Sequence, residues 1–292
     1  MSRASRIRVV IAMGVVAAGY FLQDPVLDVP YHAARRMLGI VPSPVPHTLL
    51  CSAFNLLVVL RLSWWLIVTG LVAWIDRTGI VEVLRCDRRQ VSYFLKGLAV
   101  GLAVMMATVL GIVAFGDAQL HTSPSSFAVH VGYGAAWVVG EIVGAAGEEV
   151  LFRALILILM ARLFGMRVAM VVSALAFSLV HGANPGASAI WMVRLFAAGL
   201  LLAYSVFRSG AIWWGIGYHA GWNLASAPLF GAAGSGYMDQ GHIFTFVPAG
   251  SALITGGAVG PEGSVLAFVA VVVATVLLLL TVPSRYGDVL LR

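Results

Sequence analysis

Apolar runs separated by short polar interruptions fill almost the whole chain. They lie near residues 7–23, 48–74, 93–115, 127–146, 149–164, 166–181, 188–207, 210–226 and 264–282. Most approach the ~20 residues that one membrane-crossing helix requires. Basic residues punctuate them: Arg3, Arg6 and Arg8 before the first run, and Arg77, Arg85, Arg88, Arg89 and Lys96 between the second and third. Arg162 with Arg167, then Arg208, then Arg285 with Arg292 follow. Basic loops stay on the cytoplasmic side. Nine separate spans would send Arg162 and Arg167 outside, whereas a single crossing over 127–164 keeps every cluster inside. As one straight helix that stretch would be ~57 Å long, against a hydrocarbon core of ~30 Å. A break is therefore expected around Gly140, Gly144 and Gly147, with the first part tilted or re-entrant. The reading is an all-α polytopic transmembrane bundle of about eight spans with both termini cytoplasmic. Arg35 and Arg36 then fall outside, in an interfacial helix within "PYHAARRMLGIV".

Composition strengthens this picture. Of 292 residues, 61% are hydrophobic and 10% charged, and the mean hydropathy is +0.97. A soluble domain carries about 25% charged residues. The net charge of +6 comes from 17 arginines and Lys96. In such a chain it reads as topology, not as nucleic-acid binding. Cys51 and Cys86 cannot form a disulfide framework and are expected to be free thiols. The basic, then apolar, N-terminus has the outline of a signal peptide but no small-residue cleavage site, so a retained first helix is expected. No repeat of 20–50 residues is visible. The notable loop is the glycine-rich 227–263.

Ionisable groups inside apolar runs are functional candidates by default, because a charge in hydrocarbon costs at least a few kcal/mol. They are Arg61, Glu141, Glu148, Glu149, Arg153, His181, Arg194 and His219, with the amide Asn223 beside them. In "EEVLFR", Glu149 and Arg153 are four apart and share a helix face, which is a neutralising pair. Glu148 is turned about 100° away. A second, separately aimed carboxylate suits a general acid or base. In "FSLVH", Phe177 and His181 share a face. In "HAGWN", His219 and Asn223 do. Taken alone, each could be an interfacial residue or helix–helix glue. Measured from the basic clusters, however, Glu148, His181, His219 and Asn223 all lie roughly 16–24 Å deep. Polar groups from three helices in one layer are what a pocket needs.

A carboxylate with a histidine can hold and deprotonate water, and His and Asn donors can stabilise the oxyanion formed on an amide. Ser178 faces away from His181 and is no nucleophile. Glu148, His181 and His219 could instead hold zinc with an open position, although HExxH is absent and Asn is a poor ligand. A metal-free site is the preferred reading. Glu141 is a candidate partner for Arg61, and Arg194 is expected to snorkel to the outer interface.

The three stretches resemble the motifs of the CPBP (Abi) family, the type II CAAX prenyl endopeptidases and their bacterial relatives. "EEVLFR" is similar to its glutamate-to-arginine motif, "FSLVH" to its Phe-to-His motif and "HAGWN" to its His-to-Asn motif. "TGGAVGPEGS" is similar to the segment before the last helix. The resemblance covers about residues 140–275. It implies an eight-helix intramembrane protease in which Glu148 activates water with help from His181. It implies an oxyanion site at His219 and Asn223, with Glu149, Arg153 and Phe177 in support. Residues 1–125 are then N-terminal transmembrane helices and 126–284 the catalytic core of a single membrane domain. The implied partners are a membrane-associated peptide or protein substrate and the lipid bilayer of the cell membrane, with no nucleic acid. No cofactor is expected, zinc being the alternative. A prenylated substrate does not follow for bacterial-type members, some of which are associated with bacteriocin self-immunity. Two rivals stand beside a protease: a non-catalytic immunity or scaffold protein, and a proton-relay transporter. The second is disfavoured because no inverted repeat is visible.

Overall fold

The computed structural model describes residues 2–76, 84, 86, 88–115 and 118–284. Arg77, Arg85, Arg285 and Arg292 of the basic clusters lie outside the described residues. The apolar runs form the helices α1 (Arg3–Met37), α2 (Cys51–Asp76), α3 (Arg88–Ala114), α4 (Phe127–Glu149) and α5 (Leu157–Phe164). They continue with α6 (Met166–Val180), α7 (Ala189–Ser209), α8 (Trp213–Leu224), the single turn α9 (Ala252–Thr255) and α10 (Val265–Thr281). By length and apolarity α1, α2, α3 and α7 can each cross a membrane, and α6 and α10 are shorter apolar helices. The outward faces are apolar in the way lipid requires: Phe21, Trp74, Val193 and Leu280 are all exposed. Cys51 and Cys86 are free thiols.

Two small strand pairs join this helical bundle. β1 (Thr48–Leu49) pairs in parallel with β3 (Met238–Asp239), and β2 (Ala118–Thr122) pairs antiparallel with β4 (Phe244–Pro248). The glycine-rich 227–263 stretch is thus ordered against the rest of the fold.

The core is set by close helix crossings. A Cβ added at Gly97 or Gly101 of α3 would lie 2.2 and 2.1 Å from the carbonyl oxygens of Trp214 and Tyr218. One added at Gly217 or Gly221 of α8 would lie 2.1 and 2.4 Å from those of Phe94 and Leu98. Two small-x-x-x-small stripes therefore interlock backbone to backbone, the way membrane helices associate where the hydrophobic effect gives no drive. This crossing fixes α8, which carries "HAGWN".

Four expectations need correction. The first helix does not end near residue 23 but runs to Met37 through Pro25 and Pro30, so Arg35 and Arg36 belong to its last turn. No break occurs at Gly140, Gly144 or Gly147. There α4 is continuous, and these glycines instead admit α2: a Cβ at Gly140 would meet Asn55 Oδ1 at 2.8 Å, and one at Gly144 would meet Val58 at 3.2 Å. The irregularity falls just afterwards, as a π-helical segment over Val150–Ile156 that leads without a turn into α5. Arg61 meets Asp24 of α1 at 3.5 Å, not Glu141. Arg194 does not snorkel; it is buried at 3% exposure and ion-paired to Glu262.

Basic side chains tie helix ends together. Arg162 of α5 pairs with Asp76 of α2 and reaches Ser5 of α1 at 3.4 Å. Lys96 of α3 donates to the Thr281 carbonyl, and Arg208 of α7 to those of Leu279 and Val282, at the end of α10. Lys96 and Arg208 satisfy carbonyls that a helix end leaves without partners.

Candidate active site

Glu148 and Glu149 are the last residues but one and the last of α4. Glu149 is fully buried, whereas the Glu148 side chain is 41% exposed. The turn after them is π-helical, a form frequent at functional sites. It carries Arg153 inward, where the guanidinium lies 4.4 Å over the Phe177 ring and 5.6 Å from that of Phe152. Ser173 of α6 donates to the Phe152 carbonyl inside this segment at 2.8 Å. Arg153 Nε is 3.3 Å from Glu149 Oε2. Its N–H groups are not aligned for hydrogen bonds, so charge balance and the aromatic faces hold it.

His181 caps the C-terminus of α6. Its Nδ1 is 2.7 Å from the Phe177 carbonyl oxygen. A carbonyl only accepts, so Nδ1 carries the proton and Nε2 presents a lone pair. His219 on α8 repeats the arrangement, with Nδ1 3.1 Å from Glu149 Oε1. Both Nε2 atoms then face Glu148 Oε2, each at 3.9 Å. That oxygen is buried and has no hydrogen-bond partner. The Phe177 ring packs beneath both imidazoles, 4.9 Å from His181 and 5.8 Å from His219. The two adjacent glutamates therefore approach one imidazole from two sides, Glu149 at Nδ1 and Glu148 at Nε2.

Asn223 lies one turn beyond His219, and its Nδ2 donates to Glu141 Oε2 at 2.9 Å. A second π-helical segment, Ala225–Leu229, follows at Pro228, which has no N–H to give the ladder. His181, His219 and Asn223 line one small cavity together with Phe177, Arg194 and Glu262. Its space is on the order of one or two waters. Ser178 donates to the Met192 carbonyl, away from the site.

Sequence reasoning missed Glu262. It is buried and gathers Arg194 Nη2 at 3.0 Å, Trp191 Nε1 at 3.1 Å and the Ser235 N–H at 3.3 Å. A carboxylate in an apolar glycine-rich loop was the available signal. Asp239, in β3 outside the helices, is held well above the usual carboxylate range by burial, with the charge of Glu141 adding to the effect.

The donor set is spaced too widely for zinc. Tetrahedral zinc with bonds of ~2.0–2.1 Å sets its ligand atoms about 3.3–3.4 Å apart. The 3.9 Å separations are wider, and no group of three His, Cys, Asp or Glu among the described residues is placed to hold a metal ion. Both imidazoles nevertheless anchor Nδ1 as metal-bound histidines do.

Residues 130–225 match the family model described as Type II CAAX prenyl endopeptidase Rce1-like. The match covers about a third of the chain, includes all three motifs and Glu141, and ends before Glu262. No curated protein and no solved structure matches the chain.

Proposed function

We propose that this membrane protein of the CPBP/CAAX protease family is a glutamate-dependent intramembrane endopeptidase. The observation that carries the reading is the unpartnered Glu148 Oε2, set 3.9 Å from two imidazole lone pairs. The scheme places the attacking water between them, since polar groups more than ~3.5 Å apart can be joined through one. Glu148 takes a proton from this water, and His181 Nε2 accepts its second hydrogen bond. The hydroxide oxygen attacks the amide carbon. The oxyanion is met by Asn223, whose second amide hydrogen is left after one goes to Glu141. His219 can also meet it when Nε2 holds a proton taken up from solvent, which it keeps through the cycle, with Glu149 at Nδ1 balancing the imidazolium. The proton held by Glu148 then passes to the leaving nitrogen as the C–N bond breaks. Glu149, Arg153 and Phe177 support the two histidines.

The substrate is a membrane-associated peptide or protein, and the chain is a multi-pass protein of the cell membrane. Support for eight crossings comes from the continuous 127–164 run and from the basic ties at one end of α1, α2, α3, α5, α7 and α10. An even count sets both termini on one side, and the basic clusters assign that side to the cytoplasm. Single cysteines at 120–125 and 164–167, in a background lacking Cys51 and Cys86, should label from opposite faces with an impermeant reagent. Labelling from one face would mean two crossings.

The deciding experiment incubates purified chain with a membrane-peptide library beside Glu148→Gln. Cleavage by the first and none by the second is expected. No cleavage by either favours the non-catalytic immunity or scaffold reading. The anchored Nδ1 atoms keep a zinc-dependent version as the second reading. Chelation should leave activity and Tm unchanged; one equivalent of zinc, lost on His181→Ala, would establish that version instead.

A further inference from the structure

The cavity beside the two imidazoles has a wall that the hydrolytic scheme does not use. It is formed by Arg194 of α7, by Tyr218 and Trp222 of α8, and by Ser235 and Glu262 of the 231–263 stretch. Arg194, Tyr218 and Trp222 are 3%, 3% and 4% exposed. Trp222 Nε1 and the Tyr218 hydroxyl have no hydrogen-bond partner. Arg194 Nη2 lies 3.0 Å from Glu262 Oε2 but is not aligned to donate to it; the guanidinium gives its directed bond through Nε, to the Glu262 carbonyl at 3.0 Å. Three unmet donors thus gather on residues of one wall. Buried donors normally find acceptors, so this wall lacks an acceptor that the protein does not supply.

Charge selects which acceptor fits. Arg194 is already neutralised by Glu262, and its guanidinium is stacked 4.5 Å over Trp222. Glu262 is itself held by Trp191 Nε1 and by the Ser235 N–H and hydroxyl. It is therefore a fixed counter-ion. A carboxylate entering here would bring an uncompensated negative charge into a buried cavity whose lining arginine, Arg194, is already balanced by Glu262. A neutral peptide carbonyl accepts from the same donors without that charge.

Building on the endopeptidase reading, we infer that Arg194, Tyr218 and Trp222 form a donor subsite. It binds a main-chain carbonyl of the substrate next to the bond being hydrolysed, and Glu262 excludes a free terminal carboxylate from it. The preferred substrate then continues through the subsite as an internal peptide segment.

Binding tests this separately from hydrolysis. Full-length chain carrying Glu148→Gln, in detergent, is titrated with dansyl-Leu-Val-Leu as its C-terminal amide and as its free acid, and anisotropy is read. The amide should bind at least about tenfold more tightly. Adding Glu262→Gln should reverse that order, because Arg194 then lacks its counter-ion. Ser235→Ala, which only loosens Glu262, should shift the ratio in the same direction by a smaller factor and stands in if the first variant misfolds. Trp222→Phe should weaken the amide about threefold or more without reversing the order. Equal binding of acid and amide, binding of neither, or a ratio unmoved by both Glu262→Gln and Ser235→Ala overturns the subsite. The amide preference without any hydrolysis by the unmutated chain would keep the subsite and defeat the protease reading; hydrolysis without the preference would do the opposite.

Discussion

Among the described residues two arginines, Arg153 and Arg194, lie buried inside this bundle, and they are neutralised in different ways. Arg153 is balanced by Glu149 on its own helical run, four residues back. Arg194 is balanced by Glu262, 68 positions away on a loop. The first pair needs only one helical turn to assemble, and it is sealed by Phe152 and Phe177. The second forms only after the 231–263 stretch has folded over the cavity. The contrast separates what holds the site together from what closes it. Both pairs lean on α8, the first through His219 and the second through Trp222.

The sealed pair should be the more costly to break. Glu149→Gln leaves Arg153 buried without its counter-ion and should lower stability by about 3–5 kcal/mol. Adding Arg153→Met should restore most of that loss, because an apolar side chain of similar length needs no partner. Equilibrium unfolding in mixed micelles measures both. Glu148→Gln should change stability by less than about 0.5 kcal/mol while hydrolysis is lost. If the stability loss followed Glu148 instead, the roles of the two glutamates would be exchanged.

Displacing the helix that both pairs share should come next. Gly217→Ala puts a methyl 2.1 Å from the Phe94 carbonyl. Backbone cannot yield as a side-chain tip can, so α3 and α8 must part, at about 2–3 kcal/mol. Gly132→Ala, with nothing within 4 Å of the added carbon, is the control and should leave the same unfolding curve in place.

The loop pair should break more gently. After Glu262→Gln, Arg194 keeps the carbonyl of residue 262 and the face of Trp222, and the loop can lift to admit water. A loss of about 1–2 kcal/mol is expected. It should appear as local opening, with protease cutting inside 231–263 before global unfolding. Cutting that starts in the helices instead would mean that this pair, too, holds the bundle together.

The same contrast explains what could be read from the sequence. Pairing at four-residue spacing is a property of one helix, so Glu149 with Arg153 and Phe177 with His181 were visible in "EEVLFR" and "FSLVH". Helix positions followed from apolar run length, because lipid forces the backbone to satisfy itself within each segment. Contacts between distant segments leave no such spacing, which is why Arg194 with Glu262 and Asn223 with Glu141 were missed. The glycines of α4 were read as a hinge, since absence of a side chain permits either a bend or a close neighbour. Only the position of α2 decides between them. The π-helical turn after Glu149 is not legible in the sequence: the chain runs on through it as helix, and the glycines that suggest a break lie before it in continuous α4. The turn's insertion is satisfied by Ser173 from another helix, which no local pattern encodes.

The smallest expected effect lies on the side of α8 that carries the proposed oxyanion donors. Asn223 Nδ2 donates to Glu141 Oε2 across 82 positions of sequence. That bond decides which end of the amide is turned: with Nδ2 held at Glu141, its second hydrogen remains available to a developing oxyanion. In the proposed mechanism Glu141 is a positioning residue, so its removal should matter only while Asn223 is present. Asn223→Ala and Glu141→Ala should each lower kcat, and the double variant should be no slower than Asn223→Ala alone. The coupling should be about 1 kcal/mol, roughly fivefold in rate. Glu141→Gln keeps an acceptor oxygen in place and should stay within about twofold of the unmutated chain. KM should move little in all of them, since an oxyanion contact is made in the transition state. Simple additivity of the two alanine variants would mean that Glu141 acts without Asn223, and the hydrogen bond between them would have no part in the reaction.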